Sequence, residues 1–333
     1  MRIESAQEIK QKILEMSESA AVLQFGAARS FQRGGGAAPL PQSIAVGISF
    51  TPEHQYRPAL RLGNEADLET ALAKFAFQIA RGEVDLRVVG AVRQQMPWKR
   101  QRQRPPMIGC SISHIDGTAG TLGCFVRDRA TEEVLALSNN HVIMRNDSAA
   151  VGDPILQPGP IDGGVAPGAL VGRALRAVRL DAQPGAVNWV DAALGRFDAG
   201  STLDRADKSL LQGLGRLAAT APAMAQPGDR VAKLGRTTGV TWGTVVSADI
   251  DRLQVASAFD PRMFRFDNQI EIEGDNGQPF SRGGDSGSLV VNERFEPVGL
   301  IFCGSEAGGD GAGLSYANHI GQVLDDLAVD IVA

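Results

Sequence analysis

The chain has 333 residues, 43% hydrophobic and 21% charged, enough to bury a sizeable core and to form two domains. A net charge of −5 with a pI near 5.5 gives no basis for a nucleic-acid partner. Met1-Arg2-Ile3-Glu4 carries charge where a secretory leader would be apolar, and no apolar run approaches the roughly 20 residues that span a bilayer, so a cytoplasmic chain without membrane association is expected.

Ser5-Ala6-Gln7-Glu8 reads as a capping box that opens a helix with Ile9, Ile13, Leu14 and Met16 on one side. Residues 34–41, rich in glycine and proline, have linker composition. Strands are expected at 44–48 and 59–62, then a helix over 66–81 with the apolar stripe Leu68, Leu72, Phe75 and Ile79, then a strand at 84–89. Together they suggest a β-β-α-β module, suited to oligomerisation or partner binding, to bracing the rest of the chain, or to restraining it as a pro-segment would. The basic, proline-terminated run 98–106 is expected to be a solvated linker, which places the domain boundary at 106/107.

From Ile108 onward, strand-like runs recur between glycine-rich turns, the spacing of an all-β barrel or sandwich. The divisions expected are a first segment over about 107–200, a connector over 201–226, a second segment over about 227–315 and a C-terminal helix over 316–333. The connector carries Leu203, Leu210, Leu211, Leu214 and Leu217 in a helical pattern. Cys110, Cys124 and Cys303 are odd in number and lie in strand-like runs, which fits reduced, mostly buried thiols.

One stretch carries the chemistry. Gly283-Gly284-Asp285-Ser286-Gly287-Ser288 offers a serine in a tight turn, where the N–H groups of Gly284 and Ser286 can point into one small pocket with no side chain in the way. A serine hydroxyl is a poor nucleophile without an adjacent base. Of the four histidines (His54, His114, His141 and His319), His141 ends a strand-like run, whereas His114 sits in an ordinary-looking turn. Asp191 is the one charge in the apolar run 189–194, and a buried carboxylate is costly unless paired.

The order His141, Asp191, Ser286, with Asn140-His141-Val142 and Gly284-Asp285-Ser286-Gly287, resembles the trypsin/chymotrypsin-like serine protease family in its bacterial and plant form. The resemblance covers roughly residues 108–330. It implies a mainly β fold of two antiparallel barrels, with His141, Asp191 and Ser286 as the catalytic triad at their junction and the N–H groups of Gly284 and Ser286 as the oxyanion hole. Neither a metal nor a cofactor is implied. The primary pocket is expected to have Phe280 at its base and Phe302, Gly304 and Gly313 around it, which suits an apolar residue before the scissile bond.

Three departures from the digestive enzymes stand out. The cysteines that flank their catalytic histidine are missing. No activation site would yield a new N-terminus for Asp285, which therefore needs another partner such as Arg236 or Arg282, or a pocket that is formed constitutively. Phe302 stands where a serine would support the catalytic aspartate. The expected function is an intracellular serine endopeptidase acting on protein or peptide substrates, with the N-terminal module available for self-association or a regulatory partner. The alternatives are a catalytically idle interaction scaffold on a protease fold, a zymogen-like effector activated by cleavage near residues 99–104 or by a partner, and an esterase with the same chemistry.

Overall fold

The computed structural model describes residues 1–28, 44–51, 55–89, 97–309 and 312–333. The expected linker at 34–41 and His54 lie outside them. The chain divides into two compact units, Met1–Gln95 and Met96–Ala333.

In the first unit, α1 (Ile3–Ala28) precedes β1 (Ile44–Phe50) and β2 (Tyr56–Leu62), which pair antiparallel. A 3-10 turn at Glu65–Glu69 leads into α2 (Ala71–Ile79), and β3 (Asp85–Val88) returns parallel to β2. The helix expected over 66–81 is thus broken at Thr70. That residue caps α2 through its Oγ1, while Asn64 and Asp67 cap the preceding turn reciprocally. Ile13, Leu60, Leu62 and Ala76 form the core between sheet and helices.

The second unit is mainly β, with the double-barrel architecture of the chymotrypsin type. Its first half contains β4 (Ser111–His114), β5 (Gly120–Thr121), β6 (Cys124–Asp128), β7 (Val134–Ser138), the short helix α3 (Asn140–Ile143), β8 (Pro154–Leu156), β9 (Leu170–Ala177) and β10 (Ala193–Phe197). The connector supplies the small hairpin of β11 (Leu210–Leu211) and β12 (Gly215–Arg216). The second half contains β13 (Arg230–Gly235), β14 (Gly239–Ile250), the hairpin of β15 (Leu253–Ala256) and β16 (Met263–Phe266), β17 (Gln269–Gly274), β18 (Leu289–Asn292), β19 (Pro297–Gly304) and β20 (Leu314–His319). The chain ends with α4 (Ile320–Asp326) and β21 (Val329–Ile331).

β13-β14-β17-β20-β19-β18 close into a barrel around Val231, Val245, Ile272, Val290 and Phe280. The first half is a curled eight-stranded sheet, ordered β21-β6-β7-β10-β9-β8-β4-β5, that forms a half-barrel. The expected helix over 316–333 is confined to α4; its C-cap Leu327, also buried, leads into β21, which pairs with β6 of the first sheet. The chain's end therefore ties the two halves together.

Two further expectations are corrected. The connector leucines do not form a helix: Gly213, at φ +82, turns the chain back, and the hairpin still delivers Leu211 and Leu217 to the core. The basic run is not a solvated linker. The fully buried amide of Gln157 accepts from the Gln103 N–H at 2.7 Å and from Arg104 Nη1 at 2.6 Å, and donates to the Gln101 carbonyl at 2.8 Å. Trp98 packs against the core of the same unit. A buried amide left unpaired would cost about 1–3 kcal/mol, so Gln157 recruits this segment into the protease-like unit.

Because Leu327 is only 2% exposed, Leu327→Ala should cost about 2–5 kcal/mol, read as a lower urea midpoint of the second unit. Gln322→Ala, on the exposed face of α4, should shift stability by less than about 0.5 kcal/mol.

Candidate active site

His141 follows β7 directly, in the single turn of α3. Its two neighbours explain the tight geometry: Asn139 Nδ2 donates to the Asp191 carbonyl at 2.6 Å, and Asn140 Nδ2 donates to the Val178 carbonyl and to Asp147 Oδ1, each at 2.8 Å. These side chains anchor the turn on both sides of the ring. The imidazole Nδ1 then meets Asp191 Oδ2 at 2.5 Å, while the His141 N–H donates to Asp191 Oδ1 at 3.2 Å. A carboxylate can only accept, so Nδ1 is the protonated nitrogen of the neutral ring's tautomer, the one that leaves the lone pair on Nε2. Asp191 is 4% exposed, just ahead of β10, so the lone charge of the apolar run has its partner.

Ser286 lies in the turn before β18. Gly284 and Gly287 have φ of +94 and +89, and a Cβ at Gly284 would come within 2.6 Å of Thr237 Oγ1. Only glycine tolerates either position. Two carbonyls of the turn are fastened: that of Gly283 accepts from Thr237 Oγ1 at 2.8 Å, and that of Asp285 accepts from the Ser288 N–H at 3.0 Å. In a planar peptide the N–H points opposite to the carbonyl, so the N–H groups of Gly284 and Ser286 are turned away from these partners. Neither has an acceptor among the described residues. From the first sheet, Thr121 adds an N–H to the Ser286 carbonyl at 2.8 Å and its Oγ1 to the Gly284 carbonyl at 2.9 Å.

What holds this turn is a buried charge. Asp285, fully buried, accepts at Oδ1 from the N–H groups of Thr237 (2.7 Å) and Thr238 (3.1 Å), and at Oδ2 from Thr238 Oγ1 (2.7 Å), the Arg282 N–H (3.0 Å) and Lys233 Nζ (3.3 Å). Lys233 is equally buried, and also donates to the Gly239 carbonyl at 3.1 Å and to Thr238 Oγ1. The cation expected from Arg236 or Arg282 therefore comes from Lys233. Arg236 is committed to Asp162, and Arg282 contributes to Asp285 only through its backbone. Sequence reasoning missed Lys233, although a lone cation in Val231-Ala232-Lys233-Leu234 is the same signal that singled out Asp191.

His141, Asp191 and Ser286 line one cavity of about 800 Å3. Ser286 Oγ does not bond to the imidazole; it donates to the Phe302 carbonyl at 3.4 Å. Leu180, Leu253, Val255, Phe264, Phe266 and Phe302 form an apolar wall. The loop that joins β15 to β16 meets the first half, where Asn146 Nδ2 donates to Ser257 Oγ at 2.9 Å and the Arg145 guanidinium lies 5.4 Å from the centroid of the Phe259 ring.

Of the expected pocket residues, Phe302 and Gly304 line this cavity, whereas Phe280 and Gly313 do not. Phe280 points into the core of the closed barrel, with Lys233 Nζ 5.9 Å from its ring centroid. Side chains alternate along an extended segment, so its neighbour Ser281 faces the cavity instead and bonds to Ser315 Oγ at 2.7 Å. His114, the rival base, is buried elsewhere, with Nε2 at 3.2 Å from Asp153 Oδ2. Burial pushes the Cys110 and Cys124 thiols up to about 12 and the Cys303 thiol higher still, so none is a ready nucleophile.

A family model described as the Nal1 C-terminal domain matches residues 100–318. Protein NARROW LEAF 1 of Oryza sativa subsp. japonica is 30% identical over 118 residues, 32% of this chain but 19% of the rice protein, so only about a fifth of that relative's length is matched. Similar solved structures include Thermobifida fusca protease A (16% identity, 68% of this chain and 98% of that one, TM-score 0.46) and Nocardiopsis protease (16%, 68% and 98%, 0.46). A glutamic acid-specific serine protease is similar at 17% identity over 68% of this chain and all of that one, with a TM-score of 0.47.

Burial lowers Lys233 to about 8, against the pull of Asp285, from an ordinary 10.5. The unfolded chain then binds the proton more tightly between about pH 8 and 10.5, so this residue's contribution to stability rises with pH across that window. Urea unfolding should show the wild-type chain gaining up to about 3 kcal/mol relative to Lys233→Met over those pH units. A flat difference would mean that the ammonium is not buried as described.

Proposed function

The chain belongs to the Nal1 C-terminal domain family, and from that premise and the chemistry of its cleft we propose that it is a serine endopeptidase that works through an acyl-enzyme intermediate. The reading is carried by one conjunction: His141 paired with Asp191 and set on the same cavity as Ser286, whose turn carries two N–H groups, of Gly284 and Ser286, with no acceptor among the described residues.

In this mechanism the Ser286 hydroxyl turns from the Phe302 carbonyl toward His141, a rotation about one side-chain bond. His141 Nε2 takes the proton as Oγ attacks the peptide carbonyl, and later delivers it to the leaving amine. Asp191 holds the ring in that tautomer and stabilises the imidazolium. The N–H groups of Gly284 and Ser286 receive the oxyanion, and losing one such donor typically costs about 3 kcal/mol. Since the Asp285 partner is internal, the reading does not require a cut to supply it. The apolar wall, rather than Phe280, is where apolar substrate side chains would rest.

The second reading, an idle scaffold, draws on the Ser286 hydroxyl bonding to Phe302 instead of His141. A fluorophosphonate probe separates the two. The enzyme reading predicts stoichiometric labelling of the wild-type chain, none of Ser286→Ala, and peptide hydrolysis at least about 10^4-fold slower in that variant. Folded wild-type protein that takes no label contradicts it.

A further inference from the structure

The serine that would support the catalytic aspartate is replaced by Phe302, which offers no side-chain donor. A different support is present. Asn318 on β20, fully buried, accepts the Asp191 N–H on Oδ1 at 3.0 Å and donates through Nδ2 to Gln269 Oε1 at 2.7 Å. Gln269 on β17, also fully buried, donates through Nε2 to the Trp189 carbonyl at 3.0 Å and to the Asp267 carbonyl at 2.5 Å. Two neighbouring strands of the closed barrel thus grip the backbone on either side of residue 190, and Asn139 holds the Asp191 carbonyl from the other half.

We propose that Asn318 and Gln269 are positioning residues that aim the Asp191 carboxylate at His141 from across the barrel junction, through its backbone rather than through its carboxylate. Every side-chain amide hydrogen bond in the clamp runs in a defined direction, so the two peptides it grips cannot rotate without leaving buried polar groups unpaired. In this arrangement the second barrel determines where an aspartate of the first half points. This inference deepens the protease reading and rests on it for its rate readout.

The test compares the full chain with Asn318→Leu by proton NMR of the low-field His141 Nδ1–H resonance, alongside the rate of fluorophosphonate labelling. A clamp predicts that the resonance shifts or exchanges away in the folded variant and that labelling slows at least about 10-fold. A folded Asn318→Leu chain with unchanged resonance and rate overturns it. If Asn318→Leu does not fold, Gln269→Met, which removes the bonds to Asn318, Trp189 and Asp267 but leaves the Asp191 N–H on Asn318, carries the same comparison. A wild-type chain that takes no label while its resonance still responds to Asn318→Leu would sink the protease reading and leave the clamp standing.

Discussion

The Ser286 turn depends on a carboxylate sealed inside the protein. Asp285 is out of water, and an isolated buried charge would cost several kcal/mol, so every hydrogen bond that it accepts is a condition for the fold as much as a detail of it. Lys233 neutralises it, and the N–H groups of Thr237, Thr238 and Arg282 complete its coordination. Once the carboxylate is held there, the chain on either side has little freedom, and the left-handed glycines 284 and 287 form the only path that fits. The orientation of the Gly284 and Ser286 amides is the outcome.

Neither half of the unit makes the site alone. Ser286 and its amides come from the closed barrel, but Thr121 of the first sheet grips them through its own N–H and hydroxyl. His141 and Asp191 come from the first half, and Asn318 and Gln269 of the closed barrel reach back to them. α4 and β21 then carry the end of the chain from one half to the other. Thr121, Asn318 and Gln269 are buried at the junction for this reason: each settles a backbone group belonging to the opposite half.

What could be read from the sequence follows from which signals are local. The candidate residues of the cavity, His141, Asp191 and Ser286, could be singled out because each bears its own mark: a histidine at a strand end, an acid in an apolar run, a serine between glycines. Recurring strands and turns made the mainly β character legible but left barrel and sandwich open, and one half of the unit closes while the other stays a half-barrel. Phe280 was misplaced because counting back from Ser286 gives a position but not a facing, and a one-residue change of facing puts Ser281 in the cavity and Phe280 in the core. The connector leucines misled because their spacing suits a hairpin turned by Gly213 as well as a helix. Gln157, Gln269 and Asn318 could not be found beforehand, since a buried amide looks like any surface one until its partners, distant along the chain, are known.

The central claim is that the oxyanion-binding turn is already formed in the resting protein, and a crystal structure of the full chain with a peptide boronic acid tests it most directly. The account predicts a boronate joined to Ser286 Oγ, with one oxygen about 2.7–3.1 Å from the Gly284 and Ser286 nitrogens. The Gly283 carbonyl should remain on Thr237 Oγ1, and Lys233 on Asp285. A structure in which Ser286 stays unmodified, or in which the Gly283 carbonyl swings into the cavity and Asp285 leaves Lys233, would contradict it.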